Sequence, residues 1–220
     1  GGDRDTIAPK LDTNKTTPNN YSTSFNKEVI HLTFDEYFTI KNPTVNVFIS
    51  PTLSETPEYI VKGKTLTIDL KNKLEENTTY TINFGDAISD YTAGNKISDF
   101  KYVFSTGDFI DSMQFSGNIK DAFTNNGEEG LLVMLYNNSE DSVVTKSTPN
   151  YFAKTDKEGN YSFQYIKEGA YKIFALKDEN RNYKYDLPNE KTGFLKDVIE
   201  LKDTQKTASV NFTVFDKKNE

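Results

Sequence analysis

The chain has no cysteine and a single histidine, His31. Disulfides, thiolate metal centres and cysteine nucleophiles are therefore excluded in any compartment. With one imidazole and no thiolate, a zinc site lacks ligands. No apolar run approaches the roughly 18 residues that a membrane-spanning helix needs, and no charged-then-apolar signal segment precedes Gly1. A soluble polypeptide is expected, and a start at Gly1 without methionine reads as a processed or trimmed piece of a longer protein. Basic character is scarce: Lys and Arg number 26 against 33 Asp and Glu, a net charge of −7. The two signs are mixed along the chain, and the densest basic stretches, such as Lys62-Gly-Lys64, are short. A nucleic-acid partner needs a basic stripe to displace counterions, so that class is excluded. Periodicity of 3.6 residues is missing over any window of about 11, so little helix is expected.

Short alternating segments are plentiful instead. Residues 1–27, rich in Thr, Asn, Pro and Lys, read as an irregular lead-in with room for one strand. Strands are then expected at Val29–Asp35, Thr44–Ser50, Glu58–Val61, Thr65–Leu70, Thr78–Phe84 and Phe100–Thr106. Ile30, Leu32 and Phe34 share one face, and His31, Thr33 and Asp35 the other. The pattern restarts near Gly107-Asp108, with strands at Ser112–Lys120, Leu131–Asn137, Tyr151–Asp156, Tyr161–Tyr165, Ala170–Leu176, Phe194–Leu201 and Ala208–Phe215. The length suits two domains of about 100 residues each. The expected fold class is all-β, two tandem antiparallel β-sandwiches over 28–107 and 108–216, with a tail at 217–220.

One stretch carries recognisable ligand chemistry. From Asp178 to Glu190 oxygen-bearing side chains fall at Asp178, Asn180 and Asn182, then at Asp186 and Glu190, with the Lys184 carbonyl between them. Hard oxygens at alternate positions converge when a loop curls, and that donor set suits calcium. Two positions depart from the pattern: Tyr183 stands where a glycine permits the sharp turn, and Asn189 stands one place ahead of Glu190. The competing reading is a solvated acidic loop whose Asp and Asn side chains bond their own backbone. A Ser-His-Asp triad would have to use His31, which the alternation places as a surface strand residue. Asp35 and Glu36, as neighbours on a strand, point to opposite faces and cannot flank one glycosidic bond. Among 13 Tyr and 16 Phe, the alternate Tyr161, Phe163 and Tyr165 read as an inward stripe. Tyr136, Tyr151, Tyr183 and Tyr185 read as exposed rings near loops, where a sugar could stack.

Four ordered segments carry a resemblance: Val29-Ile-His-Leu-Thr-Phe34-Asp35-Glu36, Leu74-Glu-Glu-Asn77-Thr-Thr-Tyr80-Thr-Ile82, Asp90-Tyr-Thr-Ala-Gly94-Asn95 and Phe104-Ser-Thr-Gly107. They make the first half similar to the bacterial Ig-like domain of S-layer-associated and other bacterial surface proteins. Gly130-Leu-Leu-Val133-Met-Leu135, Thr155-Asp156-Lys-Glu-Gly159-Asn-Tyr161-Ser-Phe163 and Gly169-Ala-Tyr171-Lys-Ile-Phe174-Ala follow. Through them the second half resembles prealbumin-like modules of the carboxypeptidase-regulatory-like or Cna-B type. The ordered pair resembles the N-terminal part of Ig-like surface lipoproteins of Bacteroidetes, in which a lipidated Cys lies shortly before a Gly-Gly segment. The resemblance implies a non-enzymatic structural or adhesion module at the cell surface, on the outer membrane or in the periplasm, with no catalytic residues. A protein or glycan ligand, a monomeric state, and membrane attachment only through an N-terminal lipid are the corresponding expectations.

Overall fold

The computed structural model describes residues 5–138, 140–180, 182–188, 190–202 and 207–216, with backbone only at 207–208. The chain is nearly all-β and forms two compact units, Gly1–Ile110 and Asp111–Glu220.

In the first unit the order is β1 (Val29–Thr33), β2 (Phe38–Ile40), the single helical turn α1 (Pro43–Asn46), β3 (Phe48–Ser50), β4 (Glu58–Lys62), β5 (Thr65–Asp69), β6 (Thr79–Gly85), β7 (Ile88–Asp90) and β8 (Phe100–Ser105). Antiparallel sheets run β1-β5-β4 and β3-β6-β8, and β2 pairs with β7. Alternation decides what each sheet turns inward. Ile30 and Leu32 of β1, Leu66 and Ile68 of β5, Tyr80, Ile82 and Phe84 of β6, and Tyr102 and Phe104 of β8 meet in one core. Each such side chain contributes about 1.5–3 kcal/mol on leaving water, so the alternation fixes the register. The lead-in is bonded into this unit through bridges Leu11–Phe34, Thr17–His31 and Ser22–Phe104, and Phe25 lies in the core against Phe104 at 4.2 Å between ring centroids.

The second unit runs β9 (Met113–Asp121), β10 (Leu132–Tyr136), the turn α2 (Val143–Lys146), β11 (Tyr151–Lys154), β12 (Asn160–Ile166), β13 (Gly169–Leu176), β14 (Thr192–Phe194), β15 (Ile199–Leu201), β16 (Thr207–Ser209) and β17 (Phe212–Val214). One sheet has the order β11-β10-β13-β14, with β15 beside the first half of β13; the other is β12-β9-β16, with β17 also on β9. Met113, Phe115, Ile119, Val133, Leu135, Tyr161, Phe163, Ile173 and Val214 fill the space between them. A second apolar cluster lies on the outer face of β10 and β13, where Leu132, Met134, Tyr136, Phe174 and Leu176 pack with Val143 and Val144 of α2. The central strands are therefore buried on both faces, as an unbroken apolar run such as Leu131–Tyr136 requires.

Several expectations need correction. Residues 44–46 are a helical turn, because Pro43 at its start fixes a helical φ after Asn42 turns left-handed at φ 40°. Asp35 and Glu36 follow β1 rather than lying on it, and the segment expected at Phe194–Leu201 is split into β14 and β15. The last segment is also two strands, and both run parallel to β9, so that the unit is not purely antiparallel. Tyr136 and Tyr151 are 1% and 6% exposed, buried by the outer cluster and by the edge-on ring of Tyr171 respectively.

Candidate metal loop

The segment between β13 and β14 is closed at its base by the Lys177 N–H donating to the Lys191 carbonyl at 2.8 Å. Within it the oxygen-bearing side chains form one connected set. Asp178 accepts from the backbone N–H of Asn182 (3.2 Å) and of Tyr183 (2.9 Å). The side-chain amides of Asn180 and Asn182 both donate to the Asp186 carboxylate, at 3.1 and 2.5 Å. The Asn182 amide oxygen accepts from Lys184 N–H at 2.8 Å. Glu190 is fully buried, and its two oxygens take the N–H groups of Glu179, Asp186 and Leu187 at 3.1–3.3 Å. A buried carboxylate without partners is costly, and three backbone donors supply what water would have given. Arg181 and Asn189 lie outside the described residues.

The loop takes its curl without glycine. Tyr183 sits at φ 61°, in the left-handed region that a side chain enters only at a cost. Its ring lies 5.3 Å from that of Phe152, and both Tyr183 and Tyr185 pack on the outer cluster. The Tyr185 N–H also donates to the Val144 carbonyl at 3.1 Å, tying the loop to α2. Packing thus compensates the backbone strain, and both rings are half-buried rather than presented to solvent.

The structure brings Asp178, Asn180, Asn182, Asp186 and Glu190 into one network, with the Lys184 backbone joined to it. Among the described residues no three His, Cys, Asp or Glu side chains are grouped closely enough to hold a metal ion. A cation here would use a mixed set, the Asp178 and Asp186 carboxylates with amide and backbone oxygens. For that, Asn180 and Asn182 must turn their amide oxygens, since their nitrogens now face Asp186. Glu190 would act behind the site, its oxygens already committed to the backbone.

The remaining candidates resolve into structural roles. His31 pairs through Nδ1 with Thr67 Oγ1 (3.0 Å), its cross-strand neighbour. Asp35 accepts from Lys10 N–H at 2.8 Å. Burial, then the charges of Asp5, Asp90 and Asp35, raises the Glu36 carboxyl above its usual range. Asp90 accepts from the N–H groups of Thr92, Ala93, Gly94 and Asn95, so the segment Asp90–Asn95 is a turn organised by one carboxylate. The Ala93 N–H above all, with those beside it, holds that carboxyl below its ordinary value against burial.

One constellation was not legible in the sequence. Lys191 donates to Asp121 at 2.7 Å and to Glu128 at 2.9 Å, and Lys177 reaches Glu128 at 3.3 Å. The Lys191 bond holds Asp121 far below the usual carboxylate range, helped by the Thr124 and Phe123 N–H groups. Burial opposes ionisation of Glu128 and of Lys191, but their bonds outweigh it, lowering the first and raising the second. The partners are 63 and 70 residues apart, and no short-range pattern marks them.

None of the curated proteins matches this chain. Among solved structures, BcpA, the major pilin subunit of Bacillus cereus, is 14% identical with a TM-score of 0.33, the alignment covering 94% of this chain and 70% of that one. The group B streptococcus pilus 2b backbone protein is 12% identical (TM-score 0.30; 96% and 98% covered). The N-terminal part of the bacterial S-layer protein SbsC is 16% identical (TM-score 0.31; 90% covered), and this chain spans 45% of its length. At such scores the likeness carries no argument about function. Residues 5–106, which cover all but the last four described residues of the first unit, match the family model of the bacterial Ig-like domain.

Proposed function

We propose that this chain is a non-enzymatic structural module of a bacterial cell surface, with a second unit stiffened by calcium. The observation that carries the reading is the match of residues 5–106 to the bacterial Ig-like domain, a self-contained sandwich with its own core. Its finer parts, an N-terminal lipid anchor in an outer membrane of the Bacteroidetes type and an adhesive role, rest on the sequence resemblance. The calcium component is supported by the donor set of the 178–190 loop, the Asp178 and Asp186 carboxylates with amide and backbone oxygens beside them.

Thermal unfolding in millimolar calcium and again in excess chelator, beside an Asp178→Ala, Asp186→Ala variant, tests the metal. A cation binding only the folded state at about 100 times its dissociation constant adds about 2.7 kcal/mol. At roughly 4 °C per kcal/mol for a unit of this size, the wild type rises by about 10 °C and the variant does not. No difference between calcium and chelator removes calcium from the reading. Surface labelling of cells that make the native protein tests the location: a protein reached only after lysis overturns it.

A second reading, carbohydrate binding, is favoured by one observation. Tyr37 and Tyr91 are 62% and 72% exposed and adjacent, the Tyr91 N–H donating to the Tyr37 carbonyl at 3.0 Å. Beside them on the β2–β7 ribbon the hydroxyls of Thr39 and Ser89 meet at 3.1 Å. Two exposed rings next to hydroxyls are the elements of a sugar platform, although the Lys64 ammonium lies over the Tyr37 ring at 5.6 Å from its centroid and a sugar would have to displace it.

A further inference from the structure

The second unit begins and ends on one pair of neighbouring strands. In the second unit β9 is the first strand and β16 and β17 are the last, and both pair with it in parallel. The register is continuous: Thr207 faces Gln114 and Val214 faces Asp121, at one constant offset despite the break between the two short strands. Side chains and close packing maintain the ladder across that break. The Val210 N–H donates to the Ser116 carbonyl at 2.9 Å, and Asn211 Oδ1 takes the Asn118 N–H at 2.8 Å in place of a main-chain oxygen. Tyr161 Oη donates to the Val210 carbonyl at 2.7 Å. Beyond Val214 the chain is held from the other side, where Thr192 and Phe215 exchange backbone hydrogen bonds of 3.1 and 2.9 Å.

The first unit carries a shorter parallel contact, which follows segments already bonded to β1 at Leu11–Phe34 and Thr17–His31. Residues 20–25 run parallel to the end of β8: Tyr21 N–H donates to the Val103 carbonyl (2.7 Å), Ser105 N–H to the Ser22 carbonyl (2.9 Å) and Phe25 N–H to the Ser105 carbonyl (2.9 Å). Asn20 Oδ1 takes the Val103 N–H at 2.7 Å, and Tyr102 Oη donates to the Pro18 carbonyl at 2.7 Å.

Two parallel strands pulled from opposite ends slide along one another, so every bond of the ladder must stretch before any can break. The same strands pulled from a common end peel apart, and their bonds break in succession. We propose that the parallel pairing of the first and last strands makes the second unit a shear clamp, and that this chain carries tensile load. The load-bearing role rests on the structural reading above. The clamp itself is a property of the ladder and is tested separately.

The absence of native cysteine lets two introduced cysteines define the pulling points on the full chain. Handles at Ser112→Cys and Glu220→Cys load the ladder of the second unit in shear. Handles at Phe123→Cys and Glu220→Cys pull β9 and β17 from their common end, and Phe123 is 62% exposed, so the fold survives the change. Thr124→Cys, also exposed, replaces it if that variant fails to fold. Single-molecule force spectroscopy at a fixed force reads the unfolding rate. The expected result is unfolding at least about tenfold slower in the shear geometry, the equivalent of about 1.4 kcal/mol or one net hydrogen bond kept in the barrier. Equal rates in the two geometries, or faster unfolding in shear, overturn the clamp. That outcome leaves the surface-module reading standing, since that reading falls only on cell labelling.

Discussion

Replacing Lys191 by methionine keeps most of the side-chain volume and deletes the charge on which two carboxylates depend. Asp121 and Glu128 have side chains 10% and 18% exposed, so neither regains full hydration when the ammonium goes. A hydrogen bond to a charged group is worth about 1.5–3 kcal/mol, and breaking a fully buried pair costs about 3–5. Partial exposure and the remaining Phe123, Thr124 and Lys177 partners place this site lower, at about 2–3 kcal/mol. For a unit of this size the transition falls by about 8–12 °C. Calorimetry of the full chain measures it, and hydrogen exchange over Met113–Asp121 assigns the transition to the second unit. The pH dependence has a definite sign. Asp121 is held below its unfolded value near ~3.9, so its share of stability is complete above that pH and is lost as pH falls through the folded value. Lys191 is held above its unfolded value near ~10.4, so its share is complete below that pH and is lost as pH rises through the folded value. The gap between wild type and Lys191→Met is therefore flat between about pH 5 and 9 and closes in acid. Adding Asp121→Asn recovers some of the loss, because an amide oxygen still accepts from Phe123 and Thr124. A gap below about 2 °C at pH 7, or one that persists unchanged at about pH 2, refutes the reasoning.

Gly117→Ala puts a Cβ 1.7 Å from the Val210 carbonyl oxygen, a backbone contact no rotamer change relieves, and 2.5 Å from the Tyr161 hydroxyl. The terminal strand must move off β9, so denaturant unfolding should show a loss of about 2–4 kcal/mol with early exchange of the β9 amides. Tyr37→Ala with Tyr91→Ala leaves stability within about 0.5 kcal/mol, both rings being exposed. Glycan-array binding that is present in the wild type and lost in the double variant supports the carbohydrate reading, and an empty array for both dismisses it.

Fold class was legible because alternation is a local signal. In β1, β5 and β6 the residues that alternate in the sequence alternate in burial, and the core follows from them; in β12 this holds for Tyr161 and Phe163, but a register shift at Tyr165 (φ 57°) puts Ile166 in the core in its place. Errors arose where a second layer intervened. Tyr136 reads as a loop-flanking ring until α2 and the 178–190 loop are seen to cover the outer face of β10. The short strands β2 and β7 carry three residues each, too few for a period to show. Parallel attachment of the last strands to β9 joins residues 93 positions apart, and no local pattern encodes direction at that distance. The ligand-bearing loop was legible in composition, as Asp and Asn at alternate positions, but not in its bonding. Glu190 reads as the last ligand of a calcium loop, whereas its burial turns both oxygens to the backbone.

The loop's interior bears on what a cation could add. Glu190 collects three N–H groups that would otherwise point at nothing, and the stacking of Tyr183 on Phe152 holds a left-handed residue without glycine. A cation at this loop, as proposed, would have to neutralise Asp178 and Asp186 and turn the two amides that now donate to Asp186. The loop is joined to the fold around it. Tyr183 and Tyr185 reach from the loop into the outer cluster, and Tyr185 is bonded to Val144 of α2, in the layer over β10 and β13. Those two strands form the middle of the sheet that faces β9, the strand on which tension through the second unit would fall. If a cation binds as proposed, its effect and that of the parallel ladder act on one sandwich, and a double-variant cycle under load, Asp178→Ala against Gly117→Ala, reads the coupling between them.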